Sequence, residues 1–293
     1  MRIAPDFFRK GHFLITKGTK MDFRIKIPAK LEGGSETLLI PVWARAVETK
    51  RPDAIVRDPK ALEIFESLEF DFSKFSGAWM TQTGIAVRTR LLDDAAKSFI
   101  HRHPFATIVN LGAGLDSRFE RLDNGRIRWY EVDLPEVIEL RRQFFEETDR
   151  YRFIACSITD FSWMDEIHIT DCPALLIAEG LLMYFDECVV RSLFEKLLVR
   201  FVGSEMLFEM LSPLGVGMGK YNHCISKLKS RKIEFKWSLR HSKELEAWHH
   251  KIKFLNEWNV MDHFQHRWGW MMFVMPFFLG MLGNRIVHLR FEQ

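Results

Sequence analysis

The sequence predicts a doubly wound α/β fold, a mostly parallel seven-stranded sheet with helices before its first strand and a lid insertion after its fifth. Three observations carry that prediction. Short apolar runs of strand length alternate with helical patterns from residue 107 to residue 211. The first run, Thr107-Ile108-Val109-Asn110-Leu111, leads at once into Gly112 and Gly114. The second, Ile127 to Val132, ends on Asp133, which follows Gly112 at about the 20 residues expected of a βαβ unit with an acid for a ribose.

Taken in order, residues 1–34 form an arm with no clear periodicity, which drapes on the fold or stays partly disordered, and residues 35–293 form the single catalytic-type domain. Ser35 to Glu48 places Leu38, Leu39, Val42, Trp43, Ala46 and Val47 on one helical face. Asp58-Pro59 starts a second helix, with an N-cap acid and proline in the first turn. Thr81 to Phe99 reads as a longer helix carrying Arg88 among apolar neighbours, and His103-Pro104 stops it. These helices should cover one sheet edge and wall a pocket.

After Asp133, a helix runs from Pro135 to about Thr148. Tyr151 to Cys156 is the third strand, Pro173 to Ala178 the fourth, and Glu179 stands at the latter's carboxyl end. A helix from Cys188 to Phe201 precedes the fifth strand, Glu205 to Leu211. Residues 213–250, with Gly215, Gly217 and Gly219, interrupt the rhythm and read as a lid or substrate insertion with a helix; Ser242 caps a further helix to His250. A sixth strand lies within Lys253 to Asp262, and Arg285 to Phe291 closes the sheet as an antiparallel strand. Ligands of such sheets bind beyond the carboxyl ends of the strands, where Gly112, Asp133, Ser157 and Glu179 all fall.

Composition excludes several classes. A net charge of +3, with basic residues dispersed, gives no footprint for nucleic acid. The four cysteines show no paired spacing and read as thiols of a reducing compartment. The most apolar run, Trp268 to Gly283, is shorter than a membrane span and is broken by Pro276, so it reads as a core or lid helix. With no leader visible in MRIAPDFFRKGHF, a cytoplasmic protein is expected. His249, His250, His263 and His266 fall on separate elements without a carboxylate pattern, so no metal is expected.

The glycine turn also narrows the ligand. A pyrophosphate-binding turn wants a third glycine where this chain has Ser117, and Asp116 adds negative charge beside the turn. A cofactor with adenosine but no phosphate suits the loop better, and S-adenosyl-L-methionine is the obvious candidate.

IVNLGAGLDSRF, WYEVDLPEVIELR and LLIAEGLLMYF together resemble the leucine carboxyl methyltransferase family, from about Ser35 to the C-terminus. The resemblance implies a Rossmann-like methyltransferase sheet and S-adenosylmethionine as cofactor. It implies Arg88 on the methionine carboxylate, backbone contact at Gly112 and Gly114, Asp133 on the ribose hydroxyls, Glu179 on the amino group, and Ser157 and Ile158 flanking adenine. One departure stands out: Ser157-Ile158-Thr159 replaces the family's frequent Asp-Leu-Arg, with Asp160 as a possible substitute at the adenine.

Methyl transfer from a sulfonium is an in-line displacement, served by alignment and desolvation. The acceptor implied is a small-molecule carboxylate, which needs no general base; a phenol is the alternative, and would need one. Tyr184, Tyr221 and His223 are the pocket candidates for such a role, against simple packing. Competing readings are a nucleotide-binding protein without transfer chemistry and, more weakly, a nicotinamide oxidoreductase.

Overall fold

The computed structural model describes residues 26–28, 31, 33–169, 172–219, 222–228, 233–269 and 283–293. A two-residue parallel pair joins β1 (Ile27–Pro28) to β2 (Leu68–Glu69). Between them lie a 3₁₀ turn, Gly33–Leu38, then α1 (Leu39–Thr49) and α2 (Pro59–Ser67). Asp58 caps α2 by accepting from the Ala61 N–H at 2.9 Å, with Pro59 in the first turn, as the sequence predicts. The long helix α3 spans Trp79–Arg102 and delivers the chain to the sheet.

The sheet strands are β3 (Thr107–Leu111), β4 (Arg128–Asp133), β5 (Tyr151–Ala155), β6 (Leu175–Ala178), β7 (Glu205–Met210), β8 (Ile252–Asn259) and β9 (Arg285–Phe291). Their order is β5-β4-β3-β6-β7-β9-β8. The first five run parallel, while β9 is antiparallel to both β7 and β8. The order in which strands are added reverses between β3 and β6, beside the glycine loop. That is the switch point at which open α/β sheets bind ligands.

Both faces of the sheet are covered, with the period of two that a strand imposes. Ile108, Trp129, Leu175, Ile177 and Leu207 point into one core, shared with α1, α3 and α5 (Pro135–Arg141). Val109, Val132, Leu176, Met206 and Phe208 point into the other, shared with α6 (Glu187–Arg200). A one-turn helix, α4 (Arg118–Leu122), follows the glycine loop.

Several expected elements differ. The first helix begins one 3₁₀ stretch later than its apolar face suggests, because Gly33–Leu38 winds tightly before α1. The helix expected to reach Thr148 ends at Arg141, and the chain then turns through Phe144, which donates to the Arg141 carbonyl at 2.9 Å. The described part of 213–250 contains short 3₁₀ turns, Pro213–Gly215, Ile225–Lys227 and Ser242–Ala247, in place of helices. His241, and not Ser242, occupies the cap of the last, with Glu244 reaching back to the His241 N–H at 2.9 Å. Most of the apolar run 268–283, nearly all of the 1–34 arm, and Tyr221 lie outside the described residues. Among the described residues, no helix is long and apolar enough to cross a membrane.

Candidate active site

The loop after β3 turns back on itself beside β4. The Gly112 N–H donates to the Val132 carbonyl at 2.8 Å, and Gly112 and Gly114 take φ of +64° and +51°. L-residues rarely adopt that region, so the two glycines are what the turn demands. A side chain at Gly112 would also meet Leu181 Cδ1 at 2.6 Å, so only glycine lets Leu181 pack directly on the loop backbone.

The loop is held from below by Arg141 of α5. Its Nη1 donates to the Gly114 carbonyl at 2.9 Å, and its Nη2 to the Asp116 carbonyl at 2.7 Å and to Glu131 Oε1 at 2.6 Å. Asn110 donates to the other Glu131 oxygen at 2.8 Å. Burial raises Glu131, against the pull of Arg141, to about 7. From the tip of β4, Asp133 accepts from the Gly114 N–H and the Leu134 N–H, both at 2.7 Å. Burial pushes its carboxyl upward despite those bonds. Each carboxylate oxygen has two lone pairs, so Asp133 keeps acceptor capacity on the cavity side.

Above the loop runs a buried chain of alternating charge. Arg45 of α1 meets Asp58 at 2.8 Å, and Arg121 reaches the same Asp58 oxygen at 2.9 Å. Arg121 and Arg118 share Asp93 of α3, at 2.7 and 2.6 Å. Arg118, fully buried, also meets Asp116 at 2.5 Å and Glu179 at 2.6 Å. Glu179 in turn takes Arg88 Nε at 2.8 Å, and Arg88 Nη1 reaches Glu209 of β7 at 2.8 Å. Glu209 ends the chain by accepting from the Asn284 amide at 2.7 Å.

Burial alone would neutralise Asp58, Asp116 and Glu179, but the arginines outweigh it. Arg118 and Arg121 hold Asp116 far below the usual carboxylate range, and Arg88 and Arg118 hold Glu179 down. Burial likewise opposes the Arg88 cation, which Glu209 and Glu179 more than restore. The negative charge that Asp116 adds to the sequence is therefore cancelled within the fold, and does not face a ligand as a bare repulsive group. Ser117, where a dinucleotide fold has its third glycine, is fully buried and donates to Asp58 at 2.6 Å.

Part of this network lines one cavity of about 840 Å³. Arg88, Gly112, Gly114, Asp133, Glu179 and Tyr184 all contribute to its wall. Ser157 and Ile158 stand past β5, next to Asp133 through the Cys156 N–H···Asp133 carbonyl bond of 2.9 Å, but do not line it. Ile158 packs into the core, and Ser157 Oγ is engaged with Thr159 Oγ1 at 2.8 Å. Asp160 caps the turn Phe161–Glu166 through Ser162 N at 3.2 Å. His223 is exposed and outside the cavity wall.

Sequence reasoning misses Glu209, Arg118 and Asn284. Only Glu209 leaves a signal, an acid inside the strand EMLFEM, whose other polar residue, Glu205, stands at its start. The opposite half of the cavity is apolar, with Met80, Met183, Leu211, Ile225, Phe235 and Trp268. Tyr184 lies there, its ring 5.5 Å from Phe235 and its hydroxyl bonded with Thr37; burial raises its phenol.

Chemically, the polar half suits a zwitterionic nucleoside. A strand-tip carboxylate beside a glycine loop can take a diol, and a buried Arg–Glu pair can take the two ends of an amino acid. A cavity of this size holds such a ligand and a second molecule beside it.

Known proteins agree with that geometry. The family model described as leucine carboxyl methyltransferase matches residues 39–198. Tetracenomycin polyketide synthesis O-methyltransferase TcmP of Streptomyces glaucescens is 31% identical over 234 residues, covering 80% of this chain and 85% of its own. An S-adenosyl-L-methionine-dependent methyltransferase of Gibberella zeae is 29% identical, covering 82% and 88%. In fold, the chain is similar to a DUF574 family protein of Streptomyces avermitilis, with a TM-score of 0.53 at 13% identity over 84% of this chain and 96% of that one. The chain thus belongs to the leucine carboxyl methyltransferase family and is an S-adenosylmethionine-dependent methyltransferase.

Proposed function

We propose that this enzyme methylates an oxygen of a small-molecule carboxylate. When bound, the cofactor supplies an electrophilic methyl group on a sulfonium. Arg88 takes its methionine carboxylate through the guanidinium edge that Glu179 and Glu209 leave free, and Glu179 accepts from its ammonium. Asp133 accepts from the ribose hydroxyls, with Gly112 and Gly114 giving the backbone room to approach. Ser157 and Ile158 mark the side along which the adenine runs. The described part of residues 213–250 acts as the substrate-side insertion, since Leu211, Met218, Asn222, Ile225 and Phe235 reach the cavity from in or beside it.

The observation that supports a carboxylate acceptor is the state of the ionisable groups around the cavity. Among the described wall residues there is no histidine or lysine, and the buried acids are each held by arginines or backbone N–H groups. Tyr184, its phenol raised by burial, is a hydroxyl at neutral pH and so a donor, not a base. An acceptor that arrives ionised fits such a wall, because alignment and removal of water are all it requires. The apolar half supplies the latter.

The test is a turnover assay, following S-adenosylhomocysteine, across paired aromatic acids and phenols of matched ring size. The proposal expects acids to turn over and the products to be methyl esters, which alkali cleaves. Alkali-stable ethers formed from the phenols alone would replace it with the phenolic reading.

A further inference from the structure

The charges around the cofactor half do not balance. The buried network carries five arginines (Arg45, Arg88, Arg118, Arg121 and Arg141) and, with Glu131 and Asp133, seven carboxyl groups, of which Glu131 is raised toward neutrality by burial. The surplus is not spread evenly. Asp58, Asp93, Asp116 and Glu179 sit between arginines, and each is shared by two or in contact with a fully buried one. Asp133 meets backbone N–H groups. Glu209 has one oxygen on Arg88, a cation it shares with Glu179, and its other on the neutral Asn284 amide at 2.7 Å.

Position gives that second acid its meaning. Through Arg88, Glu209 touches the end of the cavity that suits the amino-acid tail. Through Asn284, which lines the cavity beside Val260 and Met261, it touches the apolar end. The transferred methyl has to pass between those two halves. Gly180, at φ +62°, forms the corner between them: a Cβ there would stand 3.4 Å from Arg88 Nη2 and 3.7 Å from Glu209 Oε2, so the backbone passes close to both.

We infer that Glu209 is the residue by which this enzyme distinguishes its cationic cofactor from the neutral product, favouring the sulfonium over the thioether. The two molecules differ by one methyl group and one unit of positive charge. A wall of apolar contacts can read only the methyl, which is a weak discriminator. An acid only partly neutralised in a low-dielectric wall reads the charge directly. The reaction itself leaves the S–CH₃ electron pair on sulfur as the O–CH₃ bond forms, so the cation vanishes and its attraction to Glu209 with it. Product is then expelled by the loss of the same contact that admitted the reactant.

This rests on the reading that Arg88 and Glu179 hold the methionine tail, and the experiment separates the two. Dissociation constants for S-adenosylmethionine, S-adenosylhomocysteine and sinefungin, whose amine places a cation where the sulfonium stands, are measured on the full chain. In wild type, sinefungin and S-adenosylmethionine should bind at least about tenfold tighter than S-adenosylhomocysteine. In Glu209→Gln that ratio should fall toward unity, while Glu209→Asp, which keeps the charge, retains it even where all three affinities drop. The cofactor KM should rise in Glu209→Gln without a fall in kcat, because a charge that favours the intact sulfonium over the dispersed transition state does not drive the step.

A residue with a merely structural role would weaken all three ligands alike, and an unchanged ratio in Glu209→Gln overturns the inference. Equal binding of sinefungin and S-adenosylhomocysteine to wild type overturns it as well, whether or not the Gln variant folds. Arg88→Ala provides the control. If it weakens all three ligands while Glu209→Gln leaves their ratio alone, the inference fails and the tail assignment stands; if it weakens none, the tail assignment is what fails.

Discussion

The two halves of the cavity are built by opposite means. On the cofactor side, charged groups from strand tips and from helices hold one another: Arg118 of α4 alone meets three acids within 2.6 Å. On the acceptor side, the wall comes from helix faces and from short 3₁₀ turns such as Ile225–Lys227, and its lining is apolar apart from hydroxyls and amides. Charged networks are specific and brittle, because removing one member leaves its partners buried and unpaired. Apolar walls are forgiving in volume and indifferent to orientation. One cofactor recognised by fixed chemistry, beside an acceptor site free to change shape, is what that difference permits.

The sharpest way to break the comparison is to cut both walls. Arg118→Ala strips Asp93, Asp116 and Glu179 of a common partner in a fully buried position, and should cost about 3–5 kcal/mol of stability, with loss of cofactor binding. Leu211→Val removes one methylene from the acceptor wall and should cost ~1 kcal/mol, with cofactor affinity intact. Urea unfolding midpoints and cofactor titrations of the two variants give the comparison. Similar losses in both would mean that the two walls are energetically alike.

A smaller effect concerns the support of the glycine loop. Glu131, with an ordinary value of 4.5, is raised to about 7 by burial, against Arg141. The folded state then keeps a proton that the unfolded chain gives up. The contribution is complete below pH 4.5 and is lost as pH rises through about 7, so stability should fall across that window. The size of the shift corresponds to about 3 kcal/mol. Asp116 and Glu179, both held low, are already ionised there and add no slope. Thermal melts at pH 5 and pH 8 should show wild type losing more than Glu131→Gln, which cannot titrate. Parallel losses in the two proteins would remove Glu131 as the cause.

The same contrast governs what the sequence discloses. Thr107–Leu111 and Arg285–Phe291 match their expected bounds because an apolar run with turn residues at its ends is a local signal. Gly112, Asp133 and Glu179 are legible for the related reason that strand tips of this topology converge. The alternating chain is not, since its links join residues far apart: Arg88 lies 121 positions from Glu209, and Ser117 lies 59 from Asp58. Nothing in the spacing announces those pairs, and Arg88 read alone looks as much like a surface arginine on a helix edge as a buried hub. The turns of 213–250 escape for another reason. A 3₁₀ turn of three residues has no hydrophobic period, and polar caps such as the Ser212 hydroxyl, which accepts from Leu214 N at 3.3 Å, satisfy it locally.

The smallest effect tests whether the two walls are separable on a single helix. Gly84 and Arg88 are one turn apart on α3, so they lie on one face, yet Gly84 borders the apolar half and Arg88 the charged chain. A Cβ at Gly84 would stand 3.7 Å from Trp268 Cη2, an ordinary contact. Glycine inside a helix costs roughly 0.5–1 kcal/mol relative to alanine, so Gly84→Ala should stabilise the protein by about that amount. The added methyl enters the acceptor half beside Trp268, so acceptor KM should shift while cofactor affinity stays constant. A denaturation midpoint that falls, or a cofactor dissociation constant that moves with the acceptor KM, would mean that this face of α3 serves both walls as one unit.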